Sequence, residues 1–240
     1  IKNMSAVFKT LADEVLPALR RARFIANVDY KNWTDEELTK LINDNINELD
    51  EEALLYGATL FDKESQKVEI YKAAAKNYNS SRAYNNLAAI SLKNGKTADA
   101  KGYLAKMNNK TASYYNNMAV VAMQEGNYDA AAENLAKAGD LKEAKENMGA
   151  LLILKGDYNG AVAALNGANS FNEALANILT NNLSKASSIL APAKCSCKSY
   201  LKAIIAARQG NNSQAKELLE VAKKEEALAK RAANDIEFAK

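Results

Sequence analysis

AYNNLAAISLKNGKTADAKGYLAK (83–106), YYNNMAVVAMQEGNYDAAAENLAK (114–137) and AKENMGALLILKGDYNGAVAALNG (144–167) are one pattern written three times in succession. Their glycines Gly95, Gly126 and Gly156 recur about every 30 residues, a period that reads as a stack of helical hairpins. An alanine follows each glycine at a fixed offset (Ala100, Ala131, Ala161), and then a leucine (Leu104, Leu135, Leu165). Seven residues before each glycine stands a small residue, Ala88, Ala119 or Gly149. Small residues on both helices let a hairpin close tightly, and the larger apolar residues fill the space to the next hairpin. Each hairpin alone leaves an apolar face wet, and stacking buries it at about 25 cal/mol per Å². This register places any function on a surface built by several repeats together.

The pattern extends outward in weaker form. Downstream, a fourth copy has Asn181 at the glycine position, with Ala174, Ala186 and Leu190 in register. Asparagine suits that position because it tolerates the left-handed conformation. A fifth copy carries Ala203, Gly210, Ala215 and Leu219. A charge-rich helix over about 225–239 reads as a solvated cap that closes the stack. Upstream, Thr34 opens a capping box with Glu37 for a helix to about residue 47 that buries Leu38, Leu41, Ile42 and Ile46. Asp50 caps a helix ending near residue 62, and a further helix spans about 64–78. These two read as a degenerate repeat that has lost its turn glycine. Trp33 reads as a staple onto the first helices. Residues 4–16 read as an amphipathic helix that ends or kinks at Pro17. Residues 20–30 alternate in places and are the only credible strand. The organisation is therefore a lead-in helix and extended segment at 1–33, helices with a degenerate repeat at 34–80, the repeats at 81–222, and a capping helix at 223–240.

Composition narrows the function classes. Of 240 residues, 48% are hydrophobic and 25% charged, the balance of a folded rather than a disordered chain. A net charge of +3, with both signs interleaved, does not point to nucleic acid. No apolar run approaches the roughly 20 residues that span a bilayer, so direct membrane insertion is not expected. There is no histidine, which removes the commonest general base and the commonest metal ligand. No catalytic motif, cofactor site or metal site is read, and the chain is expected not to be an enzyme. It opens at Ile1 with no signal peptide, as a processed or truncated product would whose address lies upstream.

The repeat resembles the tetratricopeptide repeat, whose signature is a small residue in the first helix, a turn glycine, often Gly-x-Tyr, and a later alanine. Gly126-Asn127-Tyr128 and Gly156-Asp157-Tyr158 match, and Tyr84 and Tyr115 take the early aromatic position. The period is nearer 30 than the family's 34, no proline closes the repeats, and Glu173 and Lys202 stand where leucine is usual. The resemblance implies an all-α fold, a right-handed α-α superhelix of about six helical hairpins. A second, weaker resemblance lies in LPALRRARFIANVDY (16–30), which is similar to the closing helix and strand of an outer-membrane-protein-A-like, peptidoglycan-binding domain. That implies an upstream domain linked to peptidoglycan and a periplasmic or outer-membrane-associated setting in a bacterial cell envelope.

By the first resemblance, the first helices line a concave groove. The positions facing it are Asn85, Asn86 and Ala89; Asn116, Asn117, Val120 and Met123; then Glu146, Asn147, Ala150 and Ile153. An asparagine amide both donates and accepts, so an Asn column can pair with the main chain of an extended peptide without demanding a sequence. Alternatively, the Asn side chains bond to neighbouring helices or to water. Members that grip a C-terminal carboxylate do so with lysines and an arginine, and Glu143 and Asn147 fall at two of those places here, against that subclass. The expected function is a non-enzymatic scaffold that binds a protein or an extended peptide; the alternative is a structural spacer behind an envelope anchoring domain. Cys195-Ser196-Cys197 could in chemistry ligate a metal or form a strained redox disulfide. With no further Cys and no His to complete a four-ligand site, the pair reads as two small residues in a linker between repeats. Asn32-Trp33-Thr34 and Asn109-Lys110-Thr111 are sequons of the kind an Asn-rich chain contains by chance.

Overall fold

The computed structural model describes residues 33–191 and 195–238. The lead-in helix, the extended segment and the stretch similar to a peptidoglycan-binding domain lie outside the described residues. Among those described, every regular element is helical. The α-helices are α1 (Asp35–Asn45), α2 (Glu51–Gly57), α3 (Glu64–Tyr78), α4 (Ser81–Lys93), α5 (Thr97–Ala105), α6 (Ala112–Gln124), α7 (Tyr128–Ala138), α8 (Lys142–Leu154), α9 (Tyr158–Leu165), α10 (Phe171–Leu179), α11 (Leu183–Leu190), α12 (Ser196–Arg208), α13 (Asn212–Ala222) and α14 (Glu226–Ala232). Each helix packs on the next, and first helices of successive hairpins also touch. The fold is an all-α superhelix of antiparallel hairpins. No helix among the described residues is long and apolar enough to cross a membrane.

The five repeats turn in the same way. Gly95, Gly126, Gly156 and Gly210 have φ of 69°, 76°, 80° and 77°, and Asn181 takes their place at 61°. The residue after each of these donates its backbone N–H back to the helix it leaves: Lys96 to Ser91, Asn127 to Ala122, Asp157 to Leu152, Asn182 to Asn177 and Asn211 to Ala206, all at 2.7–2.9 Å. This closure satisfies a carbonyl that the helix end would orphan, and it needs a left-handed residue at its corner. In three repeats the same donor's side chain then caps the second helix. Asn127 accepts from the Ala130 amide, Asp157 from Gly160 and Asn211 from Gln214.

Behind each turn sits the small-residue contact. Ala88, Ala119, Ala174 and Ala203 on the first helices are fully enclosed, as are Ala100, Ala131, Ala161 and Ala186 on the second. Leu104, Leu135, Leu165, Leu190 and Leu219 are buried beside them. Gly149 shows how close the approach is, since a β-carbon there would lie 2.2 Å from Leu165 Cγ. The core runs the length of the stack as a chain of clusters. Leu38, Leu54, Ile70 and Tyr71 lead it, and Tyr200, Leu201, Ile204 and Leu219 end it. The smallest, Ala161, Leu165 and Ala176, joins the third repeat to the fourth.

At the N-terminal end the capping box forms, with Glu37 N to Thr34 Oγ1 at 3.2 Å and Thr34 N to Glu37 Oε2 at 3.0 Å. Trp33 packs against the leading cluster. Asp50 accepts from the Ala53 amide at 2.8 Å. The elements here are shorter than the periodicity predicts, because α1 and α2 each tighten into a 3-10 turn, at Ile46–Glu48 and Ala58–Leu60. Neither corner has a left-handed glycine, since Gly57 at the end of α2 keeps a helical φ of −56°, and the chain leaves through an extended residue, Leu49 or Phe61.

The C-terminal end differs from the single solvated helix expected. α14 stops at Ala232, and a 3-10 turn, Ile236–Phe238, folds back onto the fifth repeat. Tyr200, buried at the start of α12, donates to Asp235 Oδ2 at 2.5 Å and meets the Phe238 ring edge-on at 5.6 Å. Arg208 donates from Nε to Glu237 Oε1 at 2.9 Å. Aromatic contact and an ion pair hold this turn.

Candidate functional site

Asn85 and Asn116 stand ten residues before their turn glycines, and Asn86, Asn117 and Asn147 stand nine before theirs. Adjacent positions on a helix point about 100° apart, so one of each pair leans toward the preceding hairpin and the other toward the following one. The structure connects them in that order. Asn117 Nδ2 donates to Asn85 Oδ1 at 2.9 Å and to the Asn85 carbonyl at 3.3 Å. Asn147 Nδ2 donates to Asn116 Oδ1 at 2.8 Å. Asn86 neighbours Tyr71 of α3; burial pushes that phenol up and the Asn86 side chain opposes the rise. The result is a staggered amide ladder that ties α4, α6 and α8 together.

Of the two readings of the Asn column, the structure takes the interhelix one, against an Asn row free to pair with a peptide main chain. Asn116 and Asn117 are 8% and 7% exposed, and the amide bonds run between neighbouring helices. The physical reason is that successive first helices pack closely enough for one side chain to reach the next, and a buried amide without a partner would cost about 1–3 kcal/mol.

A groove of about 420 Å³ crosses the same face. Ala89, Leu92 and Lys93 of α4, Asn116, Asn117 and Val120 of α6, and Lys142, Glu143, Glu146 and Asn147 of α8 line it. It thus gathers Ala89, Asn116, Asn117, Val120, Glu146 and Asn147 of the sequence-predicted positions. Asn85 and Asn86 line a neighbouring depression of about 400 Å³ with Leu55, Arg82 and Met107. Met123, Ala150 and Ile153 are half-buried and line neither. Met123 packs against the Ala119–Leu135 cluster and Ile153 against the Ala161–Leu165 one. Leu92 shares the offset from the turn glycine that singles out Met123 and Ile153, so a signal for it was present. Lys93 and Lys142 carry no such signal, being ordinary surface charges in sequence, and Glu143 was marked only by the resemblance, as a residue that argues against carboxylate binding.

Electrostatically the groove is mixed. Lys93 is paired with Glu64 of α3 at 2.7 Å, while Lys142, Glu143 and Glu146 make no ion pair among the described residues. The floor of Ala89, Leu92 and Val120 is apolar. Such a strip can accept one apolar side chain with a charge on either flank.

Glu173, which departs from the repeat pattern, has a structural role. It is 1% exposed and accepts the Gly167 amide at 3.1 Å and the Asn169 amide at 2.7 Å. It folds the connection between the third and fourth repeats, where a leucine would leave both amides without that acceptor.

No protein-family model matches the sequence, and no curated protein matches it. Among solved structures the chain is similar to a tetratricopeptide repeat protein from Parabacteroides merdae, at 14% identity and TM-score 0.61, over 82% of this chain and 88% of that one. PilF of Pseudomonas aeruginosa aligns at 14% identity and TM-score 0.49, over 83% and 96%. PilW, described as a type IV pilus biogenesis factor, aligns at 14% and TM-score 0.45, over 85% and 86%. Turn geometry, small-residue contacts and the first of these alignments agree, and the chain has a tetratricopeptide-repeat-like fold.

Proposed function

We propose that the chain is a non-enzymatic interaction scaffold that takes an extended segment of a protein partner along the face of its first helices. The observation that carries this reading is the groove across α4, α6 and α8, with an apolar floor and with Lys142, Glu143 and Glu146 on its flank, which make no ion pair among the described residues. The amide ladder supports it indirectly, by holding three helices at the spacing that shapes the groove. In this reading Ala89 and Val120 receive an apolar side chain, Lys142 and Glu146 select its charged neighbours, and Asn117 and Asn147 position the floor. The spacer reading and an envelope setting stay attached to residues 1–32, and nothing in the groove favours them.

The test is selection of a displayed peptide library on the immobilised protein, followed by titration of enriched peptides against Ala89→Glu/Val120→Glu. Ala89 is exposed, whereas Val120 is half-buried against the Ala88–Leu104 cluster. The double variant is therefore expected to lose about 0.5–3 kcal/mol of stability, while Ala89→Glu alone stays within about 0.5 kcal/mol of wild type and serves as the folded control in the same titration. Affinity is expected to fall tenfold or more, as for a disrupted central contact. Peptides that bind the double variant as tightly as wild type would show that the groove is not the binding face.

A further inference from the structure

Cys195 and Cys197 are the chain's two cysteines, and the scaffold role makes no use of them. Residues two apart on a helix do not face each other, yet here the two Sγ atoms lie 2.8 Å apart. The cap explains it. Cys195 is the N-cap of α12 in an extended conformation, φ −129° and ψ 157°, while Cys197 is in the first helical turn. That change of backbone brings both thiols to one side of the helix start. Their separation is under 1 Å beyond a disulfide bond of about 2.0 Å.

The pair is asymmetric. Cys195 is exposed and Cys197 half-buried. Cys195 Sγ also accepts the Lys198 amide at 3.4 Å. The Cys197 hydrogen bond, with help from the Lys198 amide and charge, holds the Cys195 thiol below its ordinary range. Burial first, then the bond and charge of Cys195 and the charge of Glu225, push Cys197 up. An accessible thiolate beside a shielded thiol is the arrangement in which one sulfur attacks and the other resolves.

We propose that Cys195 and Cys197 form a dithiol–disulfide exchange site whose co-reactant is a disulfide, RSSR. The Cys195 thiolate attacks one sulfur of RSSR, forming a Cys195–SR mixed disulfide and releasing RS⁻. The released thiolate takes the Cys197 proton, and Cys197 Sγ then attacks Cys195 Sγ, forming the intramolecular bond and releasing the second RS⁻. The protein's two thiols are oxidised and RSSR is reduced. The ring so closed contains one intervening residue, too small to act as a structural staple, so the bond reopens readily with excess thiol.

The experiment uses the whole chain in two arms, glutathione disulfide and insulin, followed by acid quench, alkylation and intact mass. Exchange with either supports the site and identifies a small-molecule or a protein disulfide as the source. The expected product is monomeric, has lost both alkylation sites, and regains them with reduced glutathione. Cys197→Ser is expected to accumulate one glutathionyl group on Cys195. Cys195→Ser should react roughly tenfold more slowly at neutral pH, having lost the activated thiolate. Full alkylation of both cysteines in both arms, or oxidation only to disulfide-linked dimers, would overturn the proposal.

Discussion

Gly149 occupies the position where the other four first helices carry alanine, and Leu165 closes directly over it. A single methyl group there has nowhere to go, because the three carbons it would meet are the branch and both ends of a buried side chain, at 2.2–2.5 Å. Gly149→Ala gains helix propensity of about 1 kcal/mol but forces the hairpin apart, and overpacking of this kind costs about 1–3 kcal/mol. Urea unfolding is expected to show net destabilisation of α8 and α9; a more stable variant would mean that Leu165 swings aside freely. The amide ladder makes a second demand. Asn117→Ala removes two hydrogen bonds to Asn85 and leaves that acceptor half-buried. The expected loss is about 1–2 kcal/mol at around 1 kcal/mol per bond, and a double-mutant cycle with Asn85→Ala measures the coupling. Independent, additive effects would mean that water replaces the bond without cost.

At the scale of the element, the turn decides whether two helices become a hairpin. Asn181 performs the glycine's part at φ 61°, a conformation that costs a residue with a β-carbon about 1–2 kcal/mol unless its side chain compensates. Asn181→Ala is therefore expected to lower stability by about 1–2 kcal/mol, while Asn181→Gly stays within about 0.5 kcal/mol of wild type or above it. Thermal melts of the two variants distinguish them, and an Ala variant as stable as the Gly variant would show that this turn is not held left-handed. The N-terminal corners obey a different rule. Without a left-handed residue they close through 3-10 turns, and the repeat becomes hard to recognise although its helices still pair.

Across the whole molecule, surface ion pairs tie the degenerate N-terminal repeat to the first regular one. Arg82 of α4 bonds Glu52 of α2, and Lys93 at the other end of α4 bonds Glu64 of α3. The Arg82 bond holds the Glu52 carboxyl below its usual 4.5, and the Lys93 and Asn94 bonds do the same for Glu64. A carboxylate depressed by folding contributes stability that is present above its unfolded value and disappears as the pH falls through its folded one. At low salt, stability is expected to decline below about pH 4.5, and Glu64→Gln should flatten part of that decline. Added salt screens exposed pairs, so wild type and variant should converge in it. An acid limb unchanged by both Glu64→Gln and salt would place the acid sensitivity elsewhere.

The sequence by itself determined the hairpins, their register and their turns. Each depends on residues within about 30 of one another: a small residue, a left-handed corner, an alanine and a leucine at fixed offsets. Asn181 as a glycine substitute, the Thr34 capping box and the Asp50 cap were legible for the same reason, since backbone conformation is a local property. Only the tertiary structure decided what the faces of those helices meet. The asparagines at adjacent positions read equally as a peptide-binding row or as interhelix bonds, and the distance between successive first helices selected the bonds. Leu92, Lys93 and Lys142 joined the groove because three hairpins converge there. Phe238 reached Tyr200 across nearly 40 positions of chain because a broken helix returned it. Cys195 met Cys197 because an extended cap precedes a helical turn. Local pattern specifies an element and its ends, whereas a site is a meeting of side chains whose separation is set by packing between elements.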